Sequence, residues 1–542
     1  MAVIDPTRDR SLQPRDAALR RVQRWAETLP LHPLLLGAHA VLGLYATNAN
    51  RLPLSDVTPL LSAILVSIAA VLLLLRALTR DFVKAAILTT IAVVGICQYR
   101  TLLKLMTSLD LAALRDLFPI IWLIAITAGL WCVARSKTSF RPLALGLNVT
   151  AIAAVGFTLY EIASFRLSES GGLSAEILDQ MAAPPAAGPA PPGPKRDIYY
   201  LIFDRYASAD TLRGVYDFDN STFLSELEHQ GFYVAANSAS NYQRTAHSLA
   251  SSLSLDYLDR LTQVVGSESS SWLPVYAMLQ DHAVGRFLKQ RGYRFVQVGS
   301  WWNPTRNNPL ADVNINWRAT PELQRVFVMQ TAIGQIAGRL GLPIFDDRAH
   351  QCERIDREFE RIPELARDPE PKFVFAHLLI PHPPFVFDAN GNCLSLETVT
   401  KRSRVENYVD QVRYANARIL EMVRAIRANS RTEPIIVIQA DEGPWPARYA
   451  GDERFLGTDV NPVDWTRATP AELREKMRIL NALFLPGPGT SPLYPHMTPV
   501  NTFRIVFNRY FGTNMPLLPD ENYIYRNNRQ LYDFERVTPV VR

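Results

Sequence analysis

Long apolar runs crowd the first third of the chain, and shorter ones, spaced by polar stretches, make up the rest. Residues 31–47, 57–78, 82–99, 118–134 and 142–165 each approach the ~20 residues needed to cross a bilayer. They predict a five-helix transmembrane domain over 31–166, behind a cytoplasmic segment 1–30. His32, Pro33 and His39 interrupt the first run, so a helix lying in the interface is its alternative. The amphipathic stretch 101–117 predicts a helix along the membrane surface. Residues 167–195 then turn rich in Ala, Pro and Gly, a composition that cannot build a core and predicts an extended, semi-rigid linker.

The pattern beyond 196 is that of a soluble α/β domain. Residues 198–203, Ile-Tyr-Tyr-Leu-Ile-Phe, are aromatic and β-branched without alternation, which suits a strand buried on both faces of a parallel sheet. Further strands are predicted at 232–235, 293–299, 372–379, 434–439 and 476–485, and helices at 220–230, 406–428 and 499–510. The expected fold is a mixed, mostly parallel sheet between helices, spanning 196–542. In such sheets chemistry collects at the carboxyl ends of strands.

Charge adds orientation. The net charge of +5 over 542 residues owes much to Arg8, Arg10, Arg15, Arg20, Arg21 and Arg24. Basic residues before a first span mark the cytoplasmic side, so five spans put everything after Phe165 outside the cytoplasm. No basic stripe interleaved with aromatics follows, which speaks against nucleic acid as a partner. Cys97 and Cys132 lie in apolar runs as small hydrophobes. Cys352 and Cys393 lie in the soluble part, where they either pair or stay as thiols.

Several strand ends carry candidate chemistry. Asp204 closes the first strand, and Asp441 with Glu442 closes the strand at 434–439. Thr245 sits where a loop feeds a helix, as a simple cap or as a nucleophile served by the helix N-terminus. The loop after 299 holds Trp301, Trp302, Asn303, Arg306 and Asn307, candidate substrate contacts. His382, between two prolines, is a candidate for touching a phosphate or a leaving group, whereas His377, inside a strand, reads as a core residue. The polar stretch 449–464 reads as a loop able to cover the site.

With these residues in place the chain resembles the alkaline phosphatase superfamily, in particular its membrane-anchored, sulfatase-like branch of lipoteichoic acid synthases and phosphoethanolamine transferases. The resemblance implies a metal held by Asp204, Thr245, Asp441 and Glu442, with Thr245, in Thr-Ala-His-Ser, as nucleophile and His382 as substrate contact. Glu442 stands where the family usually has His. An all-oxygen donor set favours Mn2+, with Mg2+, Ca2+ or Zn2+ as alternatives. A Glu442 that does not ligate would leave a degenerate site. The Cys-x-Pro-x-Arg signature of true sulfatases is absent around Thr245, which disfavours sulfate-ester cleavage.

The function this implies is transfer of a phosphoryl-linked head group from a membrane-lipid donor to an envelope glycan or lipid, through a phospho-threonine, on the outer face of a bacterial inner membrane. Hydrolysis by water and a non-catalytic envelope-assembly module are the alternatives. The oligomeric state is not legible.

Overall fold

The computed structural model describes residues 29–108, 117–169, 174–189, 191–318, 320–340, 347–449, 464–487 and 492–542. The N-terminal arginines, part of the amphipathic stretch at 101–117 and most of the 449–464 loop lie outside them. The chain divides into two compact units. One holds the N-terminal helices to Ser168 together with Pro321–Phe345, and the other holds Glu169–Thr320 and Asp346–Arg542.

In the N-terminal unit, three helices among the described residues are long and apolar enough to cross a membrane: Leu54–Thr79, Phe118–Arg135 and Arg141–Ser168. Phe82–Cys97 and Tyr99–Met106 form a pair bent by 57°, which gives four spans if counted as one. The fifth expected span, His32–Ala46, has 15 residues, about 22 Å at 1.5 Å per residue, short of a ~30 Å hydrocarbon core. Five spans therefore become three or four. Polar side chains tie this helix inward: Asn148 Oδ1 accepts the backbone N–H groups of Leu31 and His32 at 2.9 Å, and His32 Nδ1 lies 2.6 Å from Thr90 Oγ1.

Two helices that sequence order assigns to the soluble domain, Glu322–Gln330 and Ala332–Arg339, pack in this same unit. Leu323 and Phe327 join Val41 and Tyr45 in one buried cluster, and Ala332 joins Tyr99 and Phe118 in another. The structure thus divides 196–542 differently from the uninterrupted domain expected.

The second unit is built on a seven-stranded sheet of order β2-β7-β6-β1-β5-β3-β4. Its strands are β1 (Ile198–Phe203), β2 (Tyr233–Val234), β3 (Arg294–Val298), β4 (Val313–Ile315), β5 (Lys372–Leu378), β6 (Ile435–Gln439) and β7 (Asn481–Phe484). β1 runs parallel to β5 and β6 on either side, and β3 runs parallel to β5 and β4. Only β7 opposes the parallel set. Every residue of β1 is buried, because a helical layer covers each face of the sheet.

Two expectations shift here. Residues 476–485 do not form one strand: Thr469 and Glu472 make a capping box with Pro470 in the first turn, which carries a helix through Met477 before β7 begins. The linker is also less extended than its composition suggested. It contains the helix Ala175–Met181, whose Leu178 and Met181 pack on the second core, and Gly188 N–H donates to Gly512 O at 3.0 Å.

Cys352 and Cys393 form a disulfide across a separation of 41 residues, fastening the helix Asp347–Glu364 to the segment after β5. Thiol titration of unfolded, unreduced protein is expected to find two free thiols, Cys97 and Cys132. Cys352→Ser should lower stability by about 4 kcal/mol on the loop-entropy account, measured by denaturant unfolding.

Candidate metal centre and active site

β1 delivers Asp204 to the middle of the sheet's carboxyl edge. Its N–H donates to Leu378 O at 3.0 Å, extending the ladder with β5 by one residue. Arg205 then takes φ 64°, the left-handed region, and its N–H donates to Asp441 Oδ1 at 3.1 Å. One sharp turn therefore joins the ends of β1 and β6. His377, opposite Ile202 in the β1–β5 register, brings Nε2 to 3.2 Å from Asp204 Oδ2.

Asp204, His377 and Asp441 form a buried group in which one ligand atom from each lies within 4.8 Å of the others. Asp204 Oδ1 and Asp441 Oδ2 are buried without a hydrogen-bond partner among the described residues. Burial would raise the Asp204 carboxyl, but His382, His377 and Arg205 outweigh it and hold it below the usual carboxylate range. Burial, with Asp204 and Glu442 beside it, drives Asp441 well above that range. Two carboxyls this close cannot both ionise without a cation between them. Orphaned oxygens on two acids beside an imidazole nitrogen fit a divalent ion.

Thr245 opens the helix Thr245–Ser254, and its side chain lies near enough to Asp441 to favour that residue's carboxylate form. The loop feeding it reaches Thr245 through Arg244, whose guanidinium lies 4.5 Å from the Trp445 ring centre. Arg205 and Lys476 flank the same ring at 5.3 and 4.9 Å.

Glu442 belongs to this cationic cluster and not to the three-residue group. Its Oε1 accepts from Lys476 Nζ at 2.6 Å, Arg205 Nε at 3.1 Å and Trp445 Nε1 at 3.3 Å, all buried. Burial pulls the Lys476 ammonium down to about 8, with Glu442 opposing. His377, read from sequence as core, stands in the place expected for Glu442. The donor set gains a nitrogen, so the all-oxygen argument for Mn2+ over Zn2+ loses its basis.

The remaining candidates surround this centre unevenly. Trp302 meets the His377 ring edge-on with centres 5.8 Å apart, and Trp301 meets His382 at 6.1 Å. Asn303 and Arg306 are half-buried on the same turn and Asn307 is exposed. Thr305, unremarked in the sequence, holds His377 Nδ1 at 2.8 Å and Ser300 Oγ at 2.9 Å. His382 is half-buried and close enough for its charge to act on Asp204. Arg205, Arg244, Trp445 and Lys476 were also missed. Arg205 carried a signal, its position directly after the first strand-end acid.

Residues 209–460 match the family model described as Sulfatase. A comparison with curated proteins found no match.

Solved structures similar in part include the C-terminal periplasmic domain of EcEptC from Escherichia coli in complex with Zn (13% identity, 66% of this chain and 96% of that one, TM-score 0.40). They also include the lipoteichoic acid synthase LtaP from Listeria monocytogenes (12%, 66% and 84%, 0.39) and the lipooligosaccharide phosphoethanolamine transferase A from Neisseria meningitidis (13%, 67% and 67%, 0.34). With TM-scores below 0.5, the weight rests on the sulfatase match.

His377→Ala is expected to lose bound metal, read by elemental analysis, while Glu442→Gln keeps it. Glu442→Ala, which strands the charges of Lys476 and Arg205, should cost about 3–5 kcal/mol in denaturant unfolding.

Proposed function

We propose that the protein is a membrane-anchored, metal-dependent transferase that moves a phosphoryl-linked head group from a lipid donor to an envelope glycan or lipid through a phospho-threonine on Thr245. The observation that carries this is the placement of Thr245, at a helix start, beside Asp441 of the buried Asp204–His377–Asp441 group. The apolar helices support a membrane location, and the Cys352–Cys393 disulfide suits a domain outside the cytoplasm.

Asp204, His377, Asp441 and the Thr245 hydroxyl would hold the ion, which supplies charge neutralisation and a more acidic hydroxyl when bound. Asp441, beside the hydroxyl, takes its proton as Oγ1 attacks phosphorus. The open N-terminal N–H groups of the Thr245 helix and the Arg205–Arg244–Lys476 cluster stabilise the phosphoryl oxygens. A Thr245 Oγ1–P bond forms as the P–O bond to the diacylglycerol-like fragment breaks, and His382 gives that oxygen a proton. In the second half an acceptor hydroxyl attacks phosphorus, its proton passes to His382, and Thr245 leaves, recovering its proton from Asp441. Because Thr245 is no cysteine and lacks the Cys-x-Pro-x-Arg context, the sulfatase match indicates ancestry and not sulfate-ester cleavage.

Thr245→Ala should lower turnover of a labelled phospholipid at least about a thousand-fold with the unfolding transition retained; full activity would refute the nucleophile. Supplying the lipid with and without a glycan acceptor separates transfer from hydrolysis, since a hydrolase releases head group at the same rate in both. Removing the metal with a chelator should abolish turnover and lower the melting temperature, and restoring Mn2+ or Zn2+ in turn reports which ion the site prefers.

A further inference from the structure

A cavity of about 370 Å3 opens at the carboxyl ends of β3 and β4, on the side of the helix Asp347–Glu364. The proposed transfer chemistry makes no use of it. Val298 and Ile315 give it apolar walls, and Asn316, Trp317 and Glu358 give it polar ones. Four polar atoms on those three residues are buried and lack a hydrogen-bond partner among the described residues: Asn316 Oδ1, Trp317 Nε1 and both carboxyl oxygens of Glu358. Glu358 is only 5% exposed. Buried polar groups in folded proteins are nearly always paired, so four orphans on residues that line one space indicate something that pairs them.

The charges around the cavity say what that is not. Arg361 pairs with Glu364 at 2.5 Å and Arg357 with Glu360 at 3.4 Å, so the rim charges satisfy one another. Arg354, one turn before Glu358, donates to the carbonyls of Trp317 and Arg318 and to Gln351. Burial, against the pull of Arg354, raises Glu358 well above the usual carboxylate range, which favours its protonated form, a group that both donates and accepts. The interior therefore offers one donor, one acceptor and one group that is both, between aliphatic walls. A phosphate or a carboxylate would meet too few donors, and an ammonium would meet no formal charge.

We propose that this cavity binds a neutral polyhydroxylated group, a sugar ring, through Asn316, Trp317 and Glu358. Hydroxyls donate and accept alternately, which suits all three partners, and the C–H faces of a ring suit Val298 and Ile315. The size falls within the 300–1,000 Å3 typical of small-ligand sites. The cavity is wired to the metal centre: Gly299 lines it, Ser300 follows in the chain, and Ser300 bonds Thr305, which bonds His377. A side chain at Gly299 would strike Arg306 O, its Cβ falling at 1.9 Å, so this turn has little room to move independently.

The test uses the full chain in lipid nanodiscs, which keep sugar-headed detergents away, and saturation-transfer NMR with D-glucose, D-galactose and N-acetyl-D-glucosamine as probes. At least one sugar should bind. Trp317→Phe, which keeps a ring and loses the N–H, and Glu358→Met, which keeps volume and loses both oxygens, should each weaken it about ten-fold or more, with metal content and melting temperature retained. No saturation transfer from any of the three, equal binding by both variants, or displacement by tetramethylammonium or inorganic phosphate would each overturn the proposal. None of these outcomes bears on Thr245 turnover, which is read separately.

Discussion

Two carboxylates, Asp204 and Asp441, are brought to adjacent strand ends and buried together, and most of the second unit is arranged around the cost of doing so. In a low-dielectric interior two like charges this close repel strongly unless their surroundings offset them. The sheet order supplies the relief, since β1 lies between β5 and β6. His377 arrives from one side, Thr245 stands beside Asp441, and the backbone N–H of Arg205 donates to Asp441. A strand, a helix start and the turn after β1 fix the three directions.

How much of this could be read from the chain follows the range of each signal. Asp204, Thr245 and Asp441 are legible because strand end and helix start are local properties, marked by an abrupt change from apolar to polar. The structure brings these three together. His377 was not legible, because whether a residue inside a strand faces core or site depends on its register with β1, which only the folded sheet defines. Glu442 failed for the opposite reason: its position was clear, but the direction of its side chain is set by Lys476, thirty-four residues further on. Lys476 was itself hidden, since the Thr469–Glu472 capping box went unread and its helix was taken for strand.

The membrane part shows the same division. Apolar run length predicts which segments are greasy, yet it does not register the break at Gln98 that bends one of them, nor the few residues by which His32–Ala46 falls short. The pair Glu322–Gln330 and Ala332–Arg339 is harder still. Each has the polar and apolar mix of an ordinary surface helix, and nothing local reveals that Leu323 and Phe327 are buried against Val41 and Tyr45. Amphipathicity says that a face must be covered and is silent about by what.

Glu442 can then be seen as part of a charge balance and not as a damaged ligand. Around Trp445 the cations Arg205, Arg244 and Lys476 converge, and alone they would repel one another in a dry site. Glu442 takes two of them by hydrogen bond and allows Lys476 to stay buried at 0% exposure. A neutral histidine there could not do so. With the three acids Asp204, Asp441 and Glu442 offsetting the three bases, a bound divalent ion would leave the pocket with a surplus of positive charge, the complement of a phosphate ester. The histidine that a metal of this class calls for need not come from the strand that carries Asp441, because β5 lies on the other side of β1 and already presents His377 to the same point.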